Sequence, residues 1–436
     1  MDNDRTEIIY NIHDNPAAGK RILYAFQHIF AMFAGNITVP MMVVGVAGLT
    51  GVESTKLIQS AMLMAGIATL IQVVGVGPVG SRLPVVMGTS NAFLTAVVTT
   101  VSTYGIAACL TASFIGGLFE AFLGSFLDKL KSLFTPLVSG IVVMTIGLTL
   151  IPAGIKQAAG SKTAVGMGAP INLILSSIVI LTVILCHCSK NKMIKSSSIF
   201  IGVLVGCVVA ALAGVIDPTR VGEAGWIGMP GFMSYKPDFQ WPAIITMLFM
   251  FIATTVETVG DISALTVMAE DRQPTPEESK GAILADGIGS ALAAIFNAFP
   301  NTSYTQNIGV VNLTGVFSRS VVSLGAVILV LLSFFPKLAA LILCIPEPVL
   351  GGAVLITFVM VFLSGITLMT QEPMNSRNLL IAAVSIGIGV GLNLVPDATA
   401  GLSAGAAACM TSGVIPASIL AIAMNQLIPG KRGLKE

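Results

Sequence analysis

Two stretches decide how this chain is read: Pro84-Val-Val-Met-Gly-Thr89-Ser90-Asn91-Ala-Phe93 and Pro300-Asn-Thr-Ser-Tyr304-Thr305-Gln306-Asn307-Ile-Gly309. Both run proline, four residues, threonine, one residue, asparagine. The second begins 216 positions after the first (Pro300 against Pro84), close to half of the 436 residues. Proline, β-branched residues and a run of polar Thr, Ser and Asn make a poor start to a buried helix. They suit an extended stretch leading into a half-helix whose first N–H groups lack intrahelical partners. Inside a membrane such backbone persists only where protein or a cavity satisfies it, and half-helix starts of this kind face substrates in secondary transporters. The alternative is a pair of kinked helices whose polar residues join neighbouring helices.

The sequence around both stretches is apolar. The chain is 55% hydrophobic and only 10% charged, against ~25% charged in a typical soluble domain, and its mean hydropathy is +0.91. That leaves too little polar surface for an ordinary soluble enzyme. With 22 Lys+Arg against 21 Asp+Glu there is no basic excess for a nucleic-acid partner. An outer-membrane barrel alternates apolar and polar residues, whereas these runs are continuous. The expected class is an all-α polytopic membrane protein with the lipid bilayer as its solvent. Residues 1–21 are polar without a short apolar core, so the first apolar run is expected to be a true span rather than a cleaved signal.

A hydrocarbon layer of ~30 Å needs about 20 apolar residues per helix, which marks about fourteen segments. They run 22–46, 57–76, 84–100, 106–127, 136–155, 171–188, 197–216, 242–265, 281–297, 301–316, 320–342, 347–369, 378–396 and 401–428. An odd count of about seven per half turns the second copy upside down, the pattern of an inverted-topology repeat. Lys and Arg then recur on one side: Arg5, Lys20 and Arg21, Arg82, Lys129 and Lys131, Lys190 to Lys195, Arg272 and Lys280, Arg319, Arg377, and Lys431 to Lys435. The opposite loops hold few cations, chiefly Lys56, Lys156, Lys162, Arg220 and Lys236. Both termini are therefore expected to be cytoplasmic, in a bacterial-type inner (plasma) membrane.

Acids inside apolar spans are costly and mark function. Glu257 and Asp261 lie four apart in Thr254-Thr-Val-Glu257-Thr-Val-Gly-Asp261 and so share one helical face. Two buried carboxylates on one face repel, and one of them can exchange a proton near neutral pH; local pairing or capping suits Asp261 better than Glu257. Asp286, among glycines in the ninth span, is expected either to accept hydrogen bonds from the broken tenth segment or to carry a proton. His28 follows Gln27 early in the first span and reads as a hydrogen-bonding partner before a relay. Glu120 in the fourth span is expected to reach toward water and stands outside the site. Cys186-His187-Cys188 resembles a metal motif, yet neighbours on a helix point about 100° apart and cannot converge on one ion. No metal and no cofactor are expected, and no nucleophile with its base marks an enzyme.

The polar groups of the two crossover segments suit hydrogen-bond recognition of a small planar molecule. Glu257 accepts, Gln306 both donates and accepts, Tyr304 offers an aromatic face, and Thr305 and Ser90 offer backbone. No Arg or Lys lies in these spans, which disfavours strongly anionic substrates.

Gln306-Asn307-Ile-Gly309-Val-Val-Asn-Leu-Thr314-Gly315 resembles the signature of the nucleobase–ascorbate transporters, also called nucleobase:cation symporter family 2. The Gln27-His28 and Glu257-to-Asp261 blocks are similar to theirs, and the resemblance covers essentially the whole chain. It implies fourteen spans in two inverted seven-span repeats. The core would comprise residues 22–135 and 242–342, and the gate and homodimer interface 136–241 and 343–428, with cytoplasmic tails at 1–21 and 429–436. The core would move like an elevator against the gate, with a proton as the coupling ion. Carried over by motif, Glu257 and Gln306 would bind the base, with Tyr304 near its ring. Asp286 and Asn307 would hold the core together, and His28 and Asp261 would influence affinity and the proton route. Uracil permeases of the family resemble one another in having Glu where this chain has Gln306 and His where it has Asp261. The Gln and Asp pairing here is similar to the xanthine and uric acid branch. Asn91 departs from the family's common aromatic residue and points to a hydrogen bond in place of stacking. The competing readings are a permease for uracil or another nucleobase, and an anion exchanger or channel of the same fold, which would carry a basic residue at the half-helix junction.

Overall fold

The computed structural model describes residues 8–126, 135–161, 163, 165–216 and 219–429. Arg5, Lys129, Lys131, Lys162 and the cations Lys431 to Lys435, used above for orientation, lie outside those residues. Among the described residues, eight helices are long and apolar enough to cross a membrane, or ten if each of two bent pairs is one span. The first half holds α1 (Ala18–Val46), α2 (Gly51–Val74), the short strand β1 (Met87–Thr89), α3 (Leu94–Ser125), α4 (Pro136–Ala158), α5 (Pro170–His187) and α6 (Ser198–Leu212). The second holds α7 (Trp241–Glu270), α8 (Pro276–Ile295), strand β2 (Asn301–Ser303), α9 (Thr305–Thr314), α10 (Arg319–Ser333), α11 (Pro336–Leu343), α12 (Glu347–Met369), α13 (Ser376–Leu394), α14 (Ala404–Thr411) and α15 (Val414–Leu427).

Where the helices depart from a row of uniform spans, glycine and proline account for it. The expected third and fourth segments are two helices that meet within α3 at a kink, Gly105 at φ 86°, a conformation that only glycine adopts freely, and the third begins with β1. The eleventh segment is two helices, α10 and α11, bent by 91° where Pro336 opens the second and cannot donate to the first. The last is α14 and α15, bent by 74°. The tenth segment is mostly the ten-residue α9, closed by Gly315 in the left-handed conformation.

Both crossover stretches are extended, and they pair with each other. β1 and β2 run antiparallel, with Met87 opposite Ser303, Gly88 opposite Thr302 and Thr89 opposite Asn301. Met87 and Ser303 are separated by the same 216 positions as the two prolines. Equivalent residues of the two copies thus meet in the ladder at Met87 and Ser303, one step from its centre at Gly88 and Thr302. Beyond it, the Tyr304 amide donates to Val86 O at 2.9 Å and the Ser90 amide to Pro300 O at 2.8 Å.

The outer edges are closed by side chains. Thr69 Oγ1 on α2 accepts from the Met87 amide at 2.9 Å and donates to its carbonyl at 3.1 Å. Ser290 Oγ on α8 does the same for Asn301, at 3.0 and 2.9 Å. Asn36 on α1 accepts from the Thr89 amide at 2.9 Å. Buried strand backbone is thus answered by protein, as a membrane interior demands. Around this centre α3 and α8 pack backbone to backbone: a Cβ on Gly117 would lie 2.6 Å from Gly287 O. At one end of the molecule, the loops bearing Arg82, Arg272 and Arg319 gather with His13 around a common cavity.

Candidate functional site

The site lies where the starts of α3 and α9 meet the middle of α7. Asp261, fully buried, accepts from Ser303 Oγ at 2.7 Å and from Thr305 Oγ1 at 2.8 Å. It therefore fastens β2 and the first residue of α9 to α7. Asp286 on α8 accepts from Thr258 Oγ1 and from Thr302 Oγ1 at 3.4 Å. The expected hydrogen bond from the tenth segment to Asp286 is present. Tyr304 is pinned at both ends, its amide on Val86 and its hydroxyl on Thr89 O at 2.7 Å. Asn307 Nδ2 donates to His28 O at 3.0 Å and lies 3.3 Å from His28 Nδ1, so α9 is also tied to α1.

These bonds hold in place a second set of groups that carry none. Glu257 Oε2, Gln306 Nε2, Asn91 Oδ1 and the Thr89 and Ser90 hydroxyls are buried polar atoms without a hydrogen bond among the described residues. Buried polar atoms are paired in the great majority of cases, so a cluster of unpaired ones makes a candidate place for a ligand's N–H and C=O groups. The cluster is focused by Gly35 on α1. A Cβ there would lie 3.1 Å from Asn91 Nδ2, 3.2 Å from Gln306 Nε2 and 3.3 Å from Tyr304 Cε1. Glu257 lies on the same face of α7 as Asp261 and within electrostatic reach of the Tyr304 ring. No side chain caps the start of α9.

Two expectations are corrected. The Ser90 backbone is not open to a ligand, because its amide is engaged with Pro300; its hydroxyl is the unpaired group. At Thr305 the hydroxyl, not the backbone, is taken up by Asp261. Glu120 does not reach toward water. It is 1% exposed, and its Oε1 sits 3.3 Å from Thr254 Oγ1 and 3.2 Å from Thr255 Oγ1 on α7. The reason is rotational: Gly116 packs against the Phe251 ring and Gly117 against α8, which turns this face of α3 inward.

The sequence did not single out Gly35, Asn36 or Thr258. Gly35 stands seven positions after His28, hence on the same helical face, but that spacing alone does not distinguish it among 45 glycines. Among the described residues, no group of three or more His, Cys, Asp or Glu is placed to hold a metal ion.

Comparison with known proteins gives the family. Residues 19–398 match the family model Xan_ur_permease, described as "Permease family". The chain belongs to the nucleobase–ascorbate transporter family. It is similar to xanthine permease XanP of Escherichia coli (strain K12), 32% identical over 443 residues, covering 98% of this chain and 96% of the relative. It is similar also to uric acid permease PucK of Bacillus subtilis (strain 168), 35% identical over 413 residues, with 94% and 96% covered. Among solved structures, the transmembrane domain of the cyanobacterial bicarbonate transporter BicA superposes with a TM-score of 0.56 at 14% identity, covering 96% of this chain and 100% of that one. At that identity the likeness concerns the fold. Membership makes the chain a multi-pass membrane permease, and a transport protein rather than an enzyme.

Proposed function

We propose that this permease imports a purine base, xanthine or uric acid, together with a proton. The observation that carries the reading is the convergence of two amides around Gly35 at the junction of two half-helices, with Asn91 Oδ1, Gln306 Nε2 and Glu257 Oε2 all without a hydrogen bond among the described residues. Such a set matches the alternating N–H and C=O edge of an oxidised purine. Glu257 accepts from ring N–H groups, Gln306 donates to a ring carbonyl, and Asn91 Oδ1 accepts from a further N–H. Tyr304, Thr305 and Ser90 shape the walls. Asp261, Asp286, Asn307 and His28 hold that arrangement and adjust the proton route, with Glu257 as the proton-sensitive ligand. The names of XanP and PucK favour the same substrate class, and the absence of Lys and Arg from the junction disfavours an anion exchanger.

The pairing of the equivalent residues Met87 and Ser303 supports two inverted repeats of seven segments each, fourteen in all. In this reading residues 22–135 and 242–342 form a core that rides past a gate made of 136–241 and 343–428, in an elevator-like cycle. The gate also supplies the contact of a homodimer. The clustering of Arg82, Arg272, Arg319 and His13 at one end favours a cytoplasmic position for that end and for both termini, in the bacterial inner membrane.

Uptake of radiolabelled xanthine by cells expressing the chain tests the reading, with urate and uracil as competitors and with a protonophore. Xanthine or urate should compete strongly, and collapse of the proton gradient should abolish accumulation. Preference for uracil, or full uptake without a gradient, overturns it. Gln306→Glu should lose xanthine transport while the protein still inserts, since it replaces the donor with an acceptor.

A further inference from the structure

Glu120 is the one buried carboxylate near the site that the proposed cycle leaves unused. Two close contacts bring it there. The approach of Gly117 to Gly287 sets Glu120 on α3 alongside Asp286 on α8, and Gly116 against Phe251 sets it alongside α7. Asp286 and Glu257 are the charged groups that face it, and among the described residues no cation pairs with it.

Hydrogen-bond bookkeeping around it is informative. Thr255 Oγ1 lies 2.8 Å from Phe251 O and 3.2 Å from Glu120 Oε1. Thr254 Oγ1 lies 3.2 Å from Phe251 O, 3.3 Å from Met250 O and 3.3 Å from Glu120 Oε1. Each hydroxyl has one proton and two acceptor lone pairs. When those protons serve the α7 carbonyls, the threonine oxygens can only accept, and the bond to Glu120 needs a proton on Glu120. When Glu120 is ionised, both hydroxyls must turn away from the α7 carbonyls, and Oε2, which has no partner, is left as a bare charge facing two further acids. A buried charge in that setting is costly. The arrangement therefore has two states, with and without a proton on Glu120. They differ in the hydrogen bonds of α7 one turn before Glu257.

We propose that Glu120 is a second proton-holding residue of the transport cycle, linked through Thr254 and Thr255 to the substrate ligand Glu257. The proton it releases goes to the carboxylate of Glu257 or to water, and the two hydroxyl protons then turn onto Glu120. Glu120 touches no substrate; it acts by positioning α7. The inference rests on the proton-coupled reading above.

The test uses purified full-length protein in liposomes and radiolabelled xanthine, in two modes: accumulation driven by a pH gradient, and counterflow, which needs binding and carrier movement but no net proton flux. Glu120→Gln keeps the shape and fixes the protonated hydrogen-bond pattern. Loss of gradient-driven accumulation with counterflow retained, and a flattened dependence of uptake on pH, is the expected result. Wild-type accumulation and pH profile in Glu120→Gln overturn the proposal. Loss of both modes in Glu120→Gln and in Glu120→Asp assigns the residue to folding and overturns it equally. Wild-type protein that accumulates xanthine without regard to the gradient overturns the proton-coupled reading itself, a separate outcome that requires no variant.

Discussion

Replacing Gly35 with alanine adds one methyl group at the centre of the candidate site. The new carbon would stand 3.1 Å from Asn91 Nδ2, 3.2 Å from Gln306 Nε2 and 3.3 Å from Tyr304 Cε1, each a few tenths of an ångström inside ordinary contact. Tyr304 cannot retreat, because its hydroxyl is held on Thr89 O at 2.7 Å. Gln306 Nε2 and Asn91 Oδ1 have no such anchor, so the two amides move. Overpacking of this kind costs about 1–3 kcal/mol. Here the ligand feels it more than the fold, because Gln306 Nε2 and Asn91 Oδ1 have no hydrogen bond among the described residues. At 1.4 kcal/mol per factor of ten, that range corresponds to purine binding weaker by about 5- to 150-fold. Initial uptake rates across xanthine concentrations, normalised to the amount of protein in the membrane, should show a raised KM with the protein present at its normal level. In an Asn91→Ala background the same glycine substitution should cost less, since one of the crowded groups is gone. An unchanged KM, or equal cost in both backgrounds, refutes the placement of Gly35 against the base-binding amides.

Three further outcomes follow from the bonds described. Ser303→Ala removes one of the two hydroxyls on Asp261 and should lower stability by about 1.5–3 kcal/mol, read as a lower melting temperature in detergent; an unaltered melt would remove Asp261 from its anchoring role. Thr275 caps α8 in a reciprocal pair with Glu278, so Thr275→Ala should cost about 1 kcal/mol, visible as faster hydrogen exchange in the first turn of α8. Burial alone would raise the Glu278 carboxyl, but hydrogen bonds from Arg272 and from the Thr275 amide outweigh it and hold the group below the usual glutamate range. A lowered carboxylate contributes stability that is present above its ordinary value and lost as pH falls through the lowered one. Protection at 272–278, with the intrinsic base-catalysed exchange rate divided out, should therefore fall only in acid, and a fall on going from neutral to alkaline pH would contradict the assignment.

Much of the centre of this molecule was legible before any coordinates. The Pro-Thr-Asn recurrence located both extended stretches, and their offset of 216 also relates Met87 to its opposite number Ser303. Acids stand out in an apolar chain, which is why Asp261, Asp286 and Glu257 were found. Glu120 was found too and misplaced, because its direction depends on how far α3 is rotated. That rotation is set by Gly116 and Gly117 meeting Phe251 and α8, contacts between segments more than a hundred residues apart. Gly35 was hidden for a different reason: in a chain with 45 glycines one more carries no signal until its neighbours are known. The bends at Gly105 and before Pro336 follow from residues plain in the sequence, yet only the tertiary setting decides which glycine or proline interrupts a span.

The pairing of β1 with β2 also has a consequence in time. Its two strands lie 216 residues apart in the chain, and synthesis at 5–20 residues per second separates their appearance by about 10–45 s. Through that interval Met87–Thr89 exists without the strand it will pair with. The groups that hold its other bonds, Thr69 on α2 and Asn36 on α1, belong to the part of the chain made before it. The first two helices therefore act as a template that keeps an unfinished strand in shape, and the transport site comes into being only when the second half arrives to complete it.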